Sequence, residues 1–181
     1  MSRPHPVLPS RRTVVAGFAC TAVVPAAAAA QRGDVAAPSA ADVGFMRMAI
    51  EEARLADFPF GAVIVRDGAV IARGRNLGRT DRDPTAHGEM VAIRRCLAEH
   101  GPAALRGSTL YTSGEPCAMC MGAIIWCRFG RMVYAASIAQ LATRIDQIMI
   151  TSEEIATKAR FAPVAITGGV LAEEAMALFP K

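Results

Sequence analysis

The pattern His87-Gly88-Glu89, twenty-six residues, then Pro116-Cys117-Ala118-Met119-Cys120 restricts the fold more than any other feature of the chain. A cysteine pair spaced this way at a helix start can aim both sulfurs at one ion, and tetrahedral zinc takes thiolate and imidazole together. His87 joins that site only if two distant segments end side by side, so the chain must return on itself between residues 87 and 117. Three protein ligands leave one coordination position open, which separates a catalytic zinc from a structural one, because a water there loses a proton more easily. Glu89 supplies the base beside it. Residues i and i+2 do not share a face of a regular helix, so His87 and Glu89 reach one site only from a first turn, where Pro84 puts them. If Cys117 also opens a helix, two positive helix ends converge on the metal and favour the thiolates. A Cys-x-x-Cys alone would serve equally as a redox pair or a structural zinc knuckle; His87 and Glu89 favour catalysis, with one zinc per chain.

The flanking pattern is that of an α/β domain. Asp42 is a candidate N-cap for a helix carrying Met46, Ala49, Ile50 and Ala53, ending near Asp57 before Pro59. Residues 61–66 and 69–72 read as apolar strands about the Asp67-Gly68 turn, a strong hairpin signal. Pro84 opens a helical segment with Met90, Ile93, Arg94 and Leu97, stopped by Gly101-Pro102, and residues 108–112 read as a third strand. A helix begins near Pro116, strands follow at 131–136 and 164–167, and residues 145–160 and 170–179 read as helices. Strands interleaved with helices predict three layers, with a mostly parallel sheet after the hairpin. At 181 residues, with 52% hydrophobic and 20% charged residues, the chain holds enough apolar material for one buried core.

The first thirty residues form a separate unit: Arg3, Arg11 and Arg12, an apolar run to Val24, Pro25, then alanines to Ala30. Charged, apolar and small regions in that order read as a signal peptide, with Ala28-x-Ala30 as its cleavage site. Its apolar run is about a dozen residues, short of the roughly 20 that span a bilayer, so no permanent anchor is expected. The paired arginines before Thr13-Val14-Val15 resemble a twin-arginine signal, an address for export of folded proteins to the periplasm. The organisation is then residues 1–30 signal, 31–41 linker and 42–181 domain. Removing the three arginines reduces the formal charge from +4 to +1, with 17 basic against 16 acidic residues. A body so nearly neutral, without a lysine/arginine block, gives no argument for a nucleic-acid partner.

His87-x-Glu89 with Pro116-Cys117-x-x-Cys120 resembles the zinc-dependent cytidine/deoxycytidylate deaminase superfamily, and the likeness extends over about residues 42–137. It includes Pro59-Phe60-Gly61-Ala62-Val63-Ile64-Val65, Arg75-Asn76, Asp83-Pro84-Thr85-Ala86-His87 and Tyr111-Thr112-Ser113-Gly114-Glu115-Pro116-Cys117. The resemblance implies an α/β/α fold with a five-stranded mixed sheet and flanking helices, a homodimer, and a small aminated heterocycle as substrate. By position it makes His87, Cys117 and Cys120 the zinc ligands and Glu89 the proton shuttle, with Asn76 and Ala86 as substrate contacts. Glu115 and Trp126 complete the candidate substrate set. For Glu115 a capping role competes, and for Trp126 a core or dimer-contact role.

Two departures stand out. Gly88 stands where relatives usually carry alanine, and Gly114 where many place cysteine or leucine, which implies a looser or differently shaped pocket wall. Ile124-Ile125-Trp126 looks more like the guanine-deaminase branch than the tRNA-adenosine branch, which tends to place histidine at 126. Guanine, or a related purine or pterin, is therefore the first expected substrate and cytosine the second. The rivals are tRNA-specific adenosine deamination and a non-catalytic, zinc-stabilised binding module. Cys96 and Cys127 do not fit the zinc spacing and read as core residues.

Overall fold

A computed structural model describes residues 38–180. The expected signal segment and residues 31–37 of the expected linker lie outside the described residues. Helix α1 (Ala40–Arg54) starts earlier than the sequence suggests, because its N-cap is Ser39 and not Asp42. Ser39 Oγ accepts from Asp42 N while Asp42 Oδ2 accepts from Ser39 N, a reciprocal capping box.

Strands β1 (Gly61–Arg66) and β2 (Ala69–Arg75) form the expected hairpin. Asp67 and Gly68 both have positive φ, at 50° and 77°, which matches the right-handed twist of the paired strands. Helix α2 (Gly88–His100) follows, then β3 (Thr109–Gly114), α3 (Ala118–Trp126) and β4 (Arg131–Ala136). The sheet is completed by β5 (Ala165–Thr167) in the order β2-β1-β3-β4-β5. β1 is antiparallel to both neighbours, whereas β3–β4 and β4–β5 are parallel, so the sheet is mixed.

Alternation along β1 divides the core between two faces. Ala62 and Ile64 pack with Ala92 and Cys96 of α2 and with Met121 and Ile124 of α3. Val63 and Val65 pack with Met46 and Ile50 of α1 and with Val133 and Phe179. The α/β/α sandwich follows, with Cys96 fully buried and Cys127 half-buried against the α2–α3 core. A Cβ on Gly74 would strike backbone atoms of Gly88 and Ala92, so this glycine lets α2 lie directly on β2.

The C-terminal third differs from the periodicity reading. Residues 145–151 are not helical; helices occur instead as α4 (Ile138–Leu141) and α5 (Ser152–Lys158). Both starts are fixed by capping boxes, Ser137 with Gln140 and Thr151 with Glu154. The expected helix over 170–179 contracts to α6 (Ala172–Met176), because Leu171 at φ 59° turns the chain before it. Among the described residues no helix is long and apolar enough to cross a membrane.

Candidate functional site

His87 and Cys117 occupy equivalent positions, each the N-cap of its helix with extended backbone, at φ −66° and −64°. An N-cap side chain ordinarily folds back onto its own first turn, yet neither makes such a bond here. Both point outward, toward one another. His87 Nδ1 lies 3.7 Å from Cys117 Sγ and 3.6 Å from Cys120 Sγ, and all three ligand atoms fall within 4.8 Å. Bond lengths of about 2.3 Å to sulfur and 2.0–2.1 Å to nitrogen put tetrahedral ligand atoms about 3.6 Å apart, so this donor set fits zinc in chemistry and spacing.

The electrostatics of the cluster suit a cation. Cys120 donates its S–H toward Cys117, and with the His87 ring alongside, the Cys117 thiol drops to about 4. The same contact, with burial, pushes Cys120 far up. His87 is raised, first by its hydrogen bond with Cys117. Glu89 sits in the first turn of α2 with 4% of its surface exposed. Burial raises its carboxyl, and the neighbouring Cys117 raises it further.

These groups open into a cavity of about 720 Å³, within the range that encloses a small organic ligand. His87, Glu89 and Cys117 line it, as do Asn76 and Glu115. Asn76 Oδ1 is held by Gly78 N at 3.0 Å, which leaves the amide NH2 to donate to a ligand. Glu115 is differently committed: Oε2 accepts from Ile138 N at 2.8 Å and Oε1 from Ser152 N at 2.7 Å. Its carboxylate thereby ties down the first residues of α4 and α5.

Two of the expected substrate contacts lie elsewhere. Ala86 is buried and does not line the cavity; its N–H donates to Asp83 O and its carbonyl accepts from Leu77 N. Trp126 is 75% exposed at the far end of α3, where it stacks on Phe161 with centroids 4.7 Å apart. A sequence pattern cannot tell such a tryptophan from a stacking platform, since both are aromatics on a metal-bearing helix. Conversely, Asp146 and Gln147 line the cavity from the non-helical strap 145–151, which the helical reading concealed. The S/T-x-x-E/Q signal at Thr151 was the clue, because it starts α5 beyond them. Phe58 and Arg79 form part of the rim, the guanidinium 4.7 Å from the ring centroid.

Comparison with known proteins agrees with this geometry. Residues 39–136 match the cytidine and deoxycytidylate deaminase zinc-binding region. The guanine deaminase of Bacillus subtilis is 55% identical over 78 residues, 43% of this chain and 50% of that protein. A tRNA-specific adenosine deaminase of Agrobacterium fabrum is 45% identical over 96 residues, 51% of this chain and 63% of its own length. The chain thus spans about half the length of the guanine deaminase it matches. Among solved structures, a tRNA:A34 deaminase superposes with a TM-score of 0.66 at 33% identity, over 75% of this chain and 99% of the other. The guanine deaminase of Nitrosomonas europaea gives 0.66 at 26%, over 75% and 81%. With its zinc-type ligands on two helix starts, its mixed five-stranded sheet and a family match covering more than half its length, the chain belongs to the cytidine and deoxycytidylate deaminase zinc-binding family.

Proposed function

We propose that the protein is a hydrolytic deaminase of a small aminated heterocycle, guanine or a related purine or pterin first and cytosine second. One observation carries the reading. Glu89 is buried in the wall of the cavity beside the His87–Cys117–Cys120 cluster without being one of its ligand atoms. A zinc serving only to brace the fold has no use for a buried carboxylate there. When bound, zinc supplies a Lewis acid that makes a water nucleophilic near neutral pH. Glu89 takes a proton from the attacking water and delivers it to a ring nitrogen, then takes the proton of the hydroxyl now on the tetrahedral carbon and delivers it to the amino group, which leaves as ammonia while the C–N bond breaks and the carbonyl forms. Its raised pKa suits a group that both accepts and returns a proton. The Asn76 NH2 donates to a ring acceptor, and the Asp146 carboxylate at the cavity wall accepts from a ring N–H or exocyclic amine.

The B. subtilis similarity and the Asp146 carboxylate at the cavity wall favour a purine or related base. Deamination of tRNA adenosine is the second reading, supported by the extent of overlap with the tRNA:A34 deaminase. Ammonia release by zinc-loaded protein, assayed against bases, nucleosides, pterins and a tRNA anticodon stem-loop, decides between them. Turnover of a free base with weak salt dependence is expected; activity on the stem-loop alone, collapsing as salt rises, would reverse the order.

The reading includes a homodimer through α3. Met119 and Gly122 are partly exposed and Trp126 exposed along one stripe of this helix, and a second copy would cover that surface. It also includes twin-arginine export to the periplasm. Zinc-ligand thiols that folded around metal in a reducing cytoplasm would arrive protected from oxidation. Replacing Arg11 and Arg12 with lysine should leave unprocessed, active protein in the cytoplasm, and unchanged delivery would count against that route.

A further inference from the structure

Gly114 ends β3 immediately before Glu115 and the metal-binding Pro116-Cys117 turn. Its φ does not lie in the left-handed region, so the backbone alone does not require glycine there. Space does. A Cβ at 114 would stand 2.8 Å from Cε1 and 3.1 Å from Cδ1 of Phe60, and 3.1 Å from Cδ1 of Leu141. The Phe60 ring therefore occupies volume that any side chain at 114 would claim. That ring also lines the cavity. Phe179 packs against it edge-to-face with centroids 5.3 Å apart at 67°, itself only 5% exposed. Leu141 is fully buried. Packed core thus blocks retreat on those sides, and the cavity is the open direction for a displaced ring.

The main chain of Phe60 is fixed as well. Its carbonyl accepts from Asn76 N at 2.9 Å, and its N–H donates to Phe58 O at 2.6 Å. A push at the ring is consequently absorbed at the side-chain torsions and not by moving β1.

We propose that Gly114 is a specificity-determining position: by carrying no side chain it lets the Phe60 ring seat against β3, and the pair sets how wide a flat heterocycle the cavity admits. The inference rests on the proposed deaminase reading and adds to it the residues that select ring size. Gly114 acts through Phe60, which makes it a positioning residue, while Phe60 meets the ligand.

Calorimetric binding of guanine and cytosine to zinc-loaded protein provides the test, together with kcat and KM for whichever is turned over. Gly114→Ala should weaken guanine relative to cytosine by about tenfold or more, the scale of one misplaced carbon in a hydrophobic pocket. The loss should fall on KM more than on kcat, since the zinc ligands and Glu89 are untouched. Adding Phe60→Leu to Gly114→Ala should recover most of that ratio, which a general weakening of the fold would not do. A crystal structure of Gly114→Ala should show the Phe60 ring moved toward the cavity. If Leu141 yields while the ring stays, or if the ratio is unchanged, the proposal is overturned. Should Gly114→Ala fail to fold, Phe60→Leu alone must shift the ratio toward the larger ring, and an unchanged ratio overturns the proposal equally. A wild-type protein that retains zinc but neither binds nor deaminates any heterocycle would defeat the deaminase reading, leaving the ring displacement to be judged from the structure.

Discussion

Replacing Glu115 with glutamine separates two roles that the motif leaves entangled. The side chain is 4% exposed, and its two oxygens each accept one backbone amide, Ile138 N at 2.8 Å and Ser152 N at 2.7 Å. Glutamine keeps the shape but offers one oxygen; its NH2 then faces an amide N–H, donor against donor. A hydrogen bond to a charged group contributes about 1.5–3 kcal/mol, and an orphaned buried amide costs a similar amount. One such bond is lost and the other weakened, so the fold should lose about 2–3 kcal/mol. For a domain of this size that is about 6–9 °C in Tm. The damage should be local first: amide exchange at Ile138 or Ser152, and along the strap between them, should accelerate by about 30-fold to 150-fold. Urea melts and exchange measured by NMR on the zinc-loaded protein read both quantities. Unchanged stability and exchange, with ligand affinity lost, would refute the capping role and return Glu115 to the substrate contacts that the sequence pattern suggests.

The remaining outcomes concern the metal, the proton, the ion pair and the α3 surface. Cys117→Ser should lose zinc by elemental analysis and fold less stably, because metal binding contributes folding free energy; full zinc retention would remove it from the ligand set. Glu89→Gln should retain zinc while turnover falls by about 10² to 10⁴-fold, and near-normal turnover would remove Glu89 from the mechanism. Burial alone would raise the Asp42 carboxyl, but Arg131 at 2.7 and 3.2 Å, with Ser39 and Tyr111, holds it well below the ordinary range. Its stabilisation is therefore complete above the unfolded value of about 3.9 and is lost as pH falls below it. Asp42→Asn should be less stable at pH 7 and flatter in the acid limb, whereas an acid limb parallel to wild type would show that another group controls it. Trp126→Arg should give a monomer in analytical ultracentrifugation with zinc retained, and an undisturbed dimer would place the interface elsewhere.

What the sequence makes legible here is local chemistry and short-range pattern. The hairpin can be read because Asp67-Gly68 has one preferred geometry between two apolar runs. The metal cluster can be read because few residue types bind zinc and their spacing puts them on helix starts. The strap 145–151 defeats the same method. Its Ile148, Met149 and Ile150 are exposed, so their apolar character reflects no buried helix face, and hydrophobic periodicity has nothing to report. Asp146 consequently reaches the cavity from a segment whose place is decided by the caps on either side of it, at Ser137 and Thr151. Trp126 fails for a related reason, since its surroundings are solvent and Phe161, and a pattern does not distinguish an aromatic awaiting a ligand from one awaiting a partner.

Gly88 and Gly114 show where pairwise packing takes over. In sequence Gly88 and Gly114 are unrelated, one opening α2 and the other ending β3. In the fold they border the same residue. A Cβ on Gly88 would lie 3.0 Å from the Phe60 carbonyl oxygen and 3.1 Å from Gly61 Cα, while one on Gly114 would strike the Phe60 ring. The first glycine lets the helix that carries His87 and Glu89 approach the start of β1, and the second lets the ring settle beside the Cys117 turn. That same Phe60 carbonyl holds Asn76 N at 2.9 Å. One phenylalanine thus touches the metal helix, the end of β3 before the cysteine turn and the strand end bearing the amide donor, so a change at Gly114 should alter ligand selection with the zinc ligands in place, whereas one at Gly88, which meets backbone, should also shift the helix start that carries His87.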